Sequence, residues 1–407
     1  MKIGIYLDDY APGQGGASTL SDTIINEIKQ DKDEYEYVII IKGSCRAPYK
    51  FTDKGITYLN LNRARLKYIF RSKLSELSQT GSRLKCRLAD RDPIGSTGSY
   101  WDIMCDREGL DLVWFATPAE ERLSVPYIST VWDIGHRAAP YFPELSRPMV
   151  NWIRREKEYG DNLKRASYVI TANETGKREI IENYSISPDR IRVIKFPVTG
   201  FSVSASEKKP DIGLPDSFFF YPAQFWPHKN HIRIVEAARL IREKYDIKIN
   251  VVFTGSDKGN KDYIREKIRE YGLEDQFIFA GFIASEEINY LYRHAKAMIF
   301  ASLLGPNNLP PIEAAVNGCP LIISDIPGHV EQMGDAGLFF DGCDAEDLAR
   351  KIMLVVNEDD CIGELKKRQE RFVRDYQGYS YFSEIKKIFA EFKKIRETWG
   401  RTYIRKF

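Results

Sequence analysis

Lys229 and Glu313 are the side chains whose surroundings suit them best to chemistry. Lys229 lies in YPAQFWPHKNH (Tyr221–His231), just ahead of a helical pattern. A lysine there can set a compact cation on a phosphate, and Gln224 in the same turn can donate an amide hydrogen bond. A plain surface lysine would look the same. Glu313 lies in SLLGPNNLPPIEAAVNGCP (Ser302–Pro320). Pro310 and Pro311 suit a first helical turn, whose N–H groups are unpaired anyway, and Gly318 with Pro320 beyond it suits the helix end. Asn307, Asn308 and Leu309 then stand at the open end, where N–H groups meet an anion. Glu313 is expected in the first turn. The helix dipole alone would favour an acid there by ~0.3–1 kcal/mol. A carboxylate beside a phosphate site is wasteful unless it meets hydroxyl donors, and that contrast points to sugar hydroxyls.

Two further loops occupy strand-to-helix junctions. APGQGGAST offers Gly13, Gly15 and Gly16 for close backbone approach, with Ser18 or Thr19 as a helix cap. Its spacing is not G-x-G-x-x-G, and a structural loop explains it equally well. VFTGSDKGN places Gly255 at a strand end, with Ser256 able to hydrogen-bond. His228 and His231 lack a third ligand of suitable spacing, so no metal is expected. Asp31-Lys32-Asp33 and Asp90-Arg91-Asp92 follow no apolar strand and read as solvated surface.

Alternating strands and helices must position these loops. Lys2–Leu7, Tyr37–Ile41, Leu110–Phe115, Tyr127–Val131 and Tyr168–Thr171 are short apolar runs of the kind parallel sheets bury. Alternation resumes with FFFYPA, Ile247–Thr254, Phe277–Ala280, Ala297–Ala301 and Leu321–Ser324, each followed by a helical or turn pattern. This is the pattern of a doubly wound α/β protein in two halves. The expected organisation is a first Rossmann-like domain over 1–198, a linker at 199–211, a second domain over 212–378 and a closing amphipathic helix in 379–407.

At 407 residues, two domains is the natural number. With 43% hydrophobic residues, 29% charged residues and a net charge of +2, the composition is globular and carries no nucleic-acid signature. Six scattered cysteines without a C-x-x-C pair read as reduced thiols. MKIGIYLDDY reads as a buried first strand and not as a signal peptide. No apolar run reaches the ~18–20 residues of a membrane span. A cytoplasmic protein is expected, peripheral on the inner face of the membrane at most. An inserted basic region at about 62–100 carries its charge excess over 62–91, with Leu66, Ile69, Phe70, Leu74 and Leu77 at helical spacing. It reads either as a contact with anionic membrane or a charged acceptor, or as a solvated insertion.

Taken together, GGAST, TVWDIGHRAAPYFPE, TANETGKREIIENYSISPDRIRVIKFPV, YPAQFWPHKNH, FIFAGFIASEEINYLYRHAKAMIFAS and LPPIEAAVNGCPLIISDIPGHVEQMGDAGLFFD resemble the retaining glycosyltransferases of family 4. The resemblance spans nearly the whole chain outside 62–91. It implies the GT-B fold: two Rossmann-like domains facing a cleft, with the last helix crossing back to the first domain. It implies transfer of a hexose-type sugar from a GDP-, UDP- or dTDP-sugar to a hydroxyl of a growing glycan, as in polysaccharide or O-antigen assembly, without metal or other cofactor. Carried onto this chain, Lys229 neutralises the donor diphosphate, with Gln224 where many members have arginine. Gly255, Phe282 and Ile283 lie near the nucleoside, and Glu313 holds the ribose hydroxyls. Asn308 and Leu309 offer N–H groups to the phosphates, Asn307 faces the sugar, and Gly15 and Gly16 approach from the opposite domain. Two positions depart from the family: Gly305 stands where the first acid of Glu-x7-Glu is usual, and Trp132 stands before Asp133 where histidine is usual. Asp133 or His136 is expected to substitute in catalysis. The departures also leave two other readings open, a degenerate scaffold that binds nucleotide-sugar and a sugar-nucleotide epimerase.

Overall fold

The computed structural model describes residues 1–7, 16–31, 35–42, 48–64, 100–118, 123–197 and 206–400. Among them the first sheet contains β1 (Lys2–Leu7), β2 (Glu36–Ile41), β3 (Lys50–Asp53), β4 (Ile56–Asn60), β5 (Leu112–Phe115), β6 (Tyr127–Thr130), β7 (Tyr168–Thr171) and β8 (Ile191–Val193), in the order β3-β4-β2-β1-β5-β6-β7-β8. All its pairs are parallel except β3–β4. That hairpin is absent from the expectation, because Lys54-Gly55 makes its two-residue turn with φ of 46° and 83° and is not a strong turn dipeptide.

The second sheet contains β9 (Phe219–Pro222), β10 (Val251–Thr254), β11 (Phe277–Gly281), β12 (Met298–Phe300), β13 (Leu321–Ser324) and β14 (Leu338–Phe340), all parallel, in the order β11-β10-β9-β12-β13-β14. Several strands start or stop one to four residues inside the expected runs.

Helices cover the sheets. In the first half they are α1 (Gly16–Gln30), α2 (Tyr100–Glu108), α3 (Gly135–Ala138), α4 (Pro143–Ser146), α5 (Met149–Arg165) and α6 (Glu174–Tyr184). In the second they are α7 (His231–Tyr245), α8 (Lys261–Glu270), α9 (Ser285–His294), α10 (Leu309–Val316), α11 (Pro327–Met333), α12 (Ala345–Asn357), α13 (Asp359–Gln377) and α14 (Tyr381–Arg396). Ser18 and Thr19 fall inside α1, not ahead of it, so neither occupies the expected cap position.

Each sheet has its own core. One holds Phe220, Val252, Phe253, Ile299, Phe300 and Ile322 of the second sheet. Another holds Ile3, Ile5, Trp114 and Ile128 of the first sheet together with Tyr381, Phe382, Ile385, Ile388, Phe389 and Phe392 of α14. The last helix therefore packs on the first sheet, with its apolar residues at three- and four-residue spacing. Burying each of these side chains contributes roughly 1.5–3 kcal/mol. Lys386 to Asp31 at 2.8 Å and Arg396 to Asp111 at 3.0 Å fix its register. Among the described residues, no helix is long and apolar enough to cross a membrane.

Candidate active site

In an open parallel sheet the ligand crevice lies beyond the carboxyl ends of the strands, where strand order reverses. In the second sheet that point falls between β9 and β12. The loop leaving β9 carries Lys229, and the loop leaving β12 carries Asn308.

Lys229 is held rigidly. It ends a 3-10 turn, Pro227–Lys229, and Asn230 follows at φ 56°. The Tyr221 hydroxyl donates to the Lys229 carbonyl at 2.6 Å, while Asn230 Nδ2 donates to the carbonyls of Ala301 at 3.2 Å and Gly342 at 2.9 Å. The ammonium lies 3.2 Å from Asn308 Oδ1, 3.4 Å from Ser302 Oγ and 5.2 Å from the Phe300 ring centroid. Burial pushes it down to about 8, opposed by the Asp133 charge from the first domain. A partly dehydrated ammonium with only neutral hydrogen-bond acceptors is well suited to a diphosphate.

The helix after β12 is α10, with Pro310 and Pro311 in its first turn and Gly318 at φ 68° beyond its end. Glu313 lies in its second turn and not its first, because the helix already starts at Leu309. The dipole therefore explains this acid less well than the sequence allowed. The Tyr292 hydroxyl donates to Glu313 Oε2 at 2.8 Å. Burial pushes the Glu313 carboxyl up to about 7, against that hydrogen bond. Of the two N–H groups expected to meet phosphate, that of Asn308 already donates to Gln332 Oε1 at 3.1 Å. That of Leu309 has no partner among the described residues.

At the far strands, Gly255 has φ 115°, and a Cβ there would lie 2.6 Å from the Ala223 carbonyl. Only glycine allows this approach of the β9 and β10 loops. Phe282 is 90% exposed, Ile283 is half-buried, and exposed Gln224 accepts from Trp226 Nε1 at 3.0 Å. Asn307 is half-buried without a hydrogen-bond partner among the described residues. Gly16 opens α1 at the end of the β1 loop, whereas Gly15 lies outside the described residues.

The first domain faces this loop cluster directly. Asp133 Oδ1 accepts from the Gly135 N–H and from Arg155, each at 2.7 Å. Burial alone would raise this carboxyl, but the Arg155 guanidinium outweighs it and keeps Asp133 ionised. His136 is not in the cleft. It is fully buried, stacked on Tyr159 and 3.0 Å from the Tyr184 hydroxyl. Its expected catalytic place is corrected to a packing role, because the short helix α3 turns the ring inward. Burial holds it neutral, down to about 4. The histidine pair His228 and His231 diverges: His228 Nδ1 meets Glu144 at 2.6 Å, while His231 is buried on Phe225. Among the described residues, no group of three or more His, Cys, Asp or Glu is placed to share a metal ion.

Contacts beside the site join the domains, in addition to the Tyr376 hydroxyl that donates to the Phe196 carbonyl. The Glu331 carboxylate of α11 accepts from the N–H groups of Glu174 and Thr175 at the start of α6, at 2.6 and 2.7 Å. Asn173 caps α6 through Oδ1 and gives its Nδ2 to the Pro306 carbonyl. Glu144 accepts from both the His228 ring and its N–H. Glu331, Tyr292 and His329 were not singled out in the sequence; only the fold brings them to the site. Glu179 of α6 also escaped notice. It is half-buried, and burial first, then the Asp133 charge, push it up to about 7.

The chain is similar to known glycosyltransferases. Residues 203–375 match the family model described as glycosyl transferases group 1. O-antigen chain mannosyltransferase RfbU of Salmonella typhimurium is 25% identical over 181 residues, covering 44% of this chain and 48% of the relative. The chain thus spans about half the length of the curated relatives it matches. Sucrose-phosphate synthase from Thermosynechococcus elongatus superposes with a TM-score of 0.67 at 16% identity, over 98% of this chain and 100% of the other. Anabaena HepE in complex with UDP gives 0.61 at 14%, over 97% and 100%. Residues 203–375 therefore resemble the glycosyl transferases group 1 family, and the chain as a whole has the GT-B fold.

Proposed function

We propose that the chain is a retaining glycosyltransferase. It transfers a hexose-type sugar from a nucleoside-diphosphate donor (GDP-, UDP- or dTDP-linked) to a hydroxyl of a growing surface glycan, as in O-antigen assembly. The observation that carries this is the pairing of Lys229 and Glu313 at the β9/β12 switch point: one cation among neutral acceptors, one carboxylate a helix turn beyond an open N-terminus. The relative named as an O-antigen chain mannosyltransferase and the HepE structure with UDP support the same reading.

The reaction breaks the bond between the anomeric carbon and the diphosphate. Charge grows on the departing phosphate oxygen, where the Lys229 ammonium and the Leu309 N–H stabilise it without a metal. Glu313 accepts hydrogen bonds from the ribose hydroxyls. Asp133 faces the same cleft from the first domain as an anchor for sugar hydroxyls, and Asn307 supplies a further amide. No side chain is assigned as nucleophile; the acceptor hydroxyl attacks from the face the diphosphate leaves. Domain closure excludes water. The acceptor is a glycan carried on a lipid at the cytoplasmic membrane, met peripherally through the basic region 62–91, of which only 62–64 are described. Its charge excess supports that part of the reading.

A thermal-shift panel of GDP-, UDP- and dTDP-sugars, followed by mass spectrometry of the glycan product, tests the proposal. Stabilisation by one donor class with a product one hexose heavier is expected. No stabilisation by any donor or free nucleoside diphosphate would reject it.

A further inference from the structure

Behind Lys229 runs a chain of hydrogen bonds that the donor reading does not use. Gly305 has φ 111°, and a Cβ there would come 2.7 Å from Asn308 Nδ2 and 3.3 Å from its Cγ and Oδ1. The Asn308 amide thus fills the space that a side chain at 305 would need. Both of its ends are engaged. Oδ1 lies 3.2 Å from Lys229 Nζ, and Nδ2 lies 2.9 Å from His329 Nε2. A secondary pair of contacts runs from Nδ2 to the carbonyls of Gly305 at 3.3 Å and Leu304 at 3.4 Å.

Hydrogen-bond chemistry fixes the direction of the chain. An ammonium only donates, so the amide oxygen must face Lys229 and the NH2 must face His329. His329 Nε2 then accepts, which places the ring proton on Nδ1. The far side of the ring requires the same tautomer independently. Nδ1 lies 3.1 Å from the Ser324 carbonyl, which only accepts. Ser324 Oγ, 3.0 Å from Nδ1, gives its own proton to the Ser302 carbonyl at 2.6 Å and so can only accept from the ring. The ring is fully buried beside Phe300, at 5.3 Å between centroids. Burial pushes it down to about 3, so it stays neutral at working pH.

We propose that His329 is a positioning residue for the donor site: its bare Nε2 holds the Asn308 amide with the oxygen toward Lys229, so that the ammonium is aimed by neutral groups and keeps its full charge for a diphosphate. This rests on the donor reading above. Asn308 is the group His329 acts through, and Ser324 sets the tautomer.

The first arm of the test is nitrogen NMR of the full chain with labelled histidine, in which His329→Gln identifies the signal among five histidines. A neutral ring protonated on Nδ1 is expected, with an Nε2 resonance that moves in Asn308→Ala. A proton on Nε2, or an Nε2 signal indifferent to Asn308→Ala, overturns the proposal. The second arm is calorimetry with GDP, UDP and dTDP. His329→Leu removes the acceptor and is expected to weaken binding about tenfold, the loss expected for one neutral hydrogen bond. His329→Gln, whose amide oxygen can accept from Asn308, is expected to recover most of it. Unchanged binding in His329→Leu, or no recovery in His329→Gln, overturns it. If the unsubstituted protein binds none of the three, the donor reading itself fails, and the tautomer arm tells that failure from this one. Should His329→Leu not fold, Asn308→Ala takes its place in the calorimetry, with the same tenfold loss expected and the same contradiction if binding is unchanged.

Discussion

Glu331 accepts both the backbone N–H and the hydroxyl of Thr175, at 2.7 and 2.6 Å, across the junction of the two domains. A carboxylate on a helix N-terminus forms charge-assisted hydrogen bonds and also meets the positive end of the helix dipole. Replacing Glu331 with alanine is expected to open the domains and lower kcat/KM about tenfold, while the melting temperature of each domain changes little. Small-angle scattering checks it through a larger radius of gyration. An unchanged radius would remove the clasp from the mechanism.

Replacing Lys229 with alanine is expected to lower kcat/KM by about 10²–10³, the effect of removing one preorganised donor from a developing anion. Arginine should not rescue it, because the seat between Ser302, Asn308 and Phe300 fits a compact ammonium. Steady-state kinetics with the cognate donor decide the point.

Two half-buried groups confine activity to a narrow pH range. The Glu313 carboxyl, pushed up to about 7, is an acceptor above that pH; the Lys229 ammonium, pushed down to about 8, exists below that pH. The profile of kcat/KM should rise through the first value and fall through the second, and Glu313→Gln should remove the acid limb. Stability runs the other way. Lys229 titrates below its unfolded value of ~10.4, so between the two values the unfolded chain binds more protons and this residue's contribution to stability rises with pH. Glu313 titrates above its unfolded value of ~4.3, so its contribution falls with pH across that interval. Denaturation of the free protein at several pH values, with and without each substitution, checks both signs.

Gly305 should not accept a side chain alone. Gly305→Ala combines a positive φ with a Cβ 2.7 Å from Asn308, and is expected to cost about 1–3 kcal/mol. Adding Asn308→Gly should remove the steric part and leave the backbone part. Urea unfolding of the single and double variants separates them.

Phe389 of α14 is fully buried among Tyr35, Tyr37 and Trp114. Its replacement by alanine is expected to destabilise the first domain by about 3–5 kcal/mol. Loss of α14 protection in hydrogen exchange, with α7 and α8 unaffected, is the expected pattern.

Lys229, Glu313, Gly255 and the α10 prolines could be read from the sequence, because strand, turn and helix signals fall within a dozen residues of each. Their partners could not. Tyr292 meets Glu313 across 21 residues, His329 meets Asn308 across 21, and Glu331 meets Thr175 across 156. Only strand order brings such pairs together, and local periodicity is silent on it. The burial of His136 is hidden from the sequence for the same reason. A histidine after a strand end looks like a site residue until α3 shows which way its ring turns.

The most direct measurement is calorimetric titration of GDP, UDP and dTDP into the unsubstituted protein, Lys229→Ala and Glu313→Gln. The expected result is binding of at least one nucleoside diphosphate by the unsubstituted protein, lost in Lys229→Ala and weakened in Glu313→Gln. Equal binding by all three proteins, or none by any, would contradict a donor site at the β9/β12 switch point.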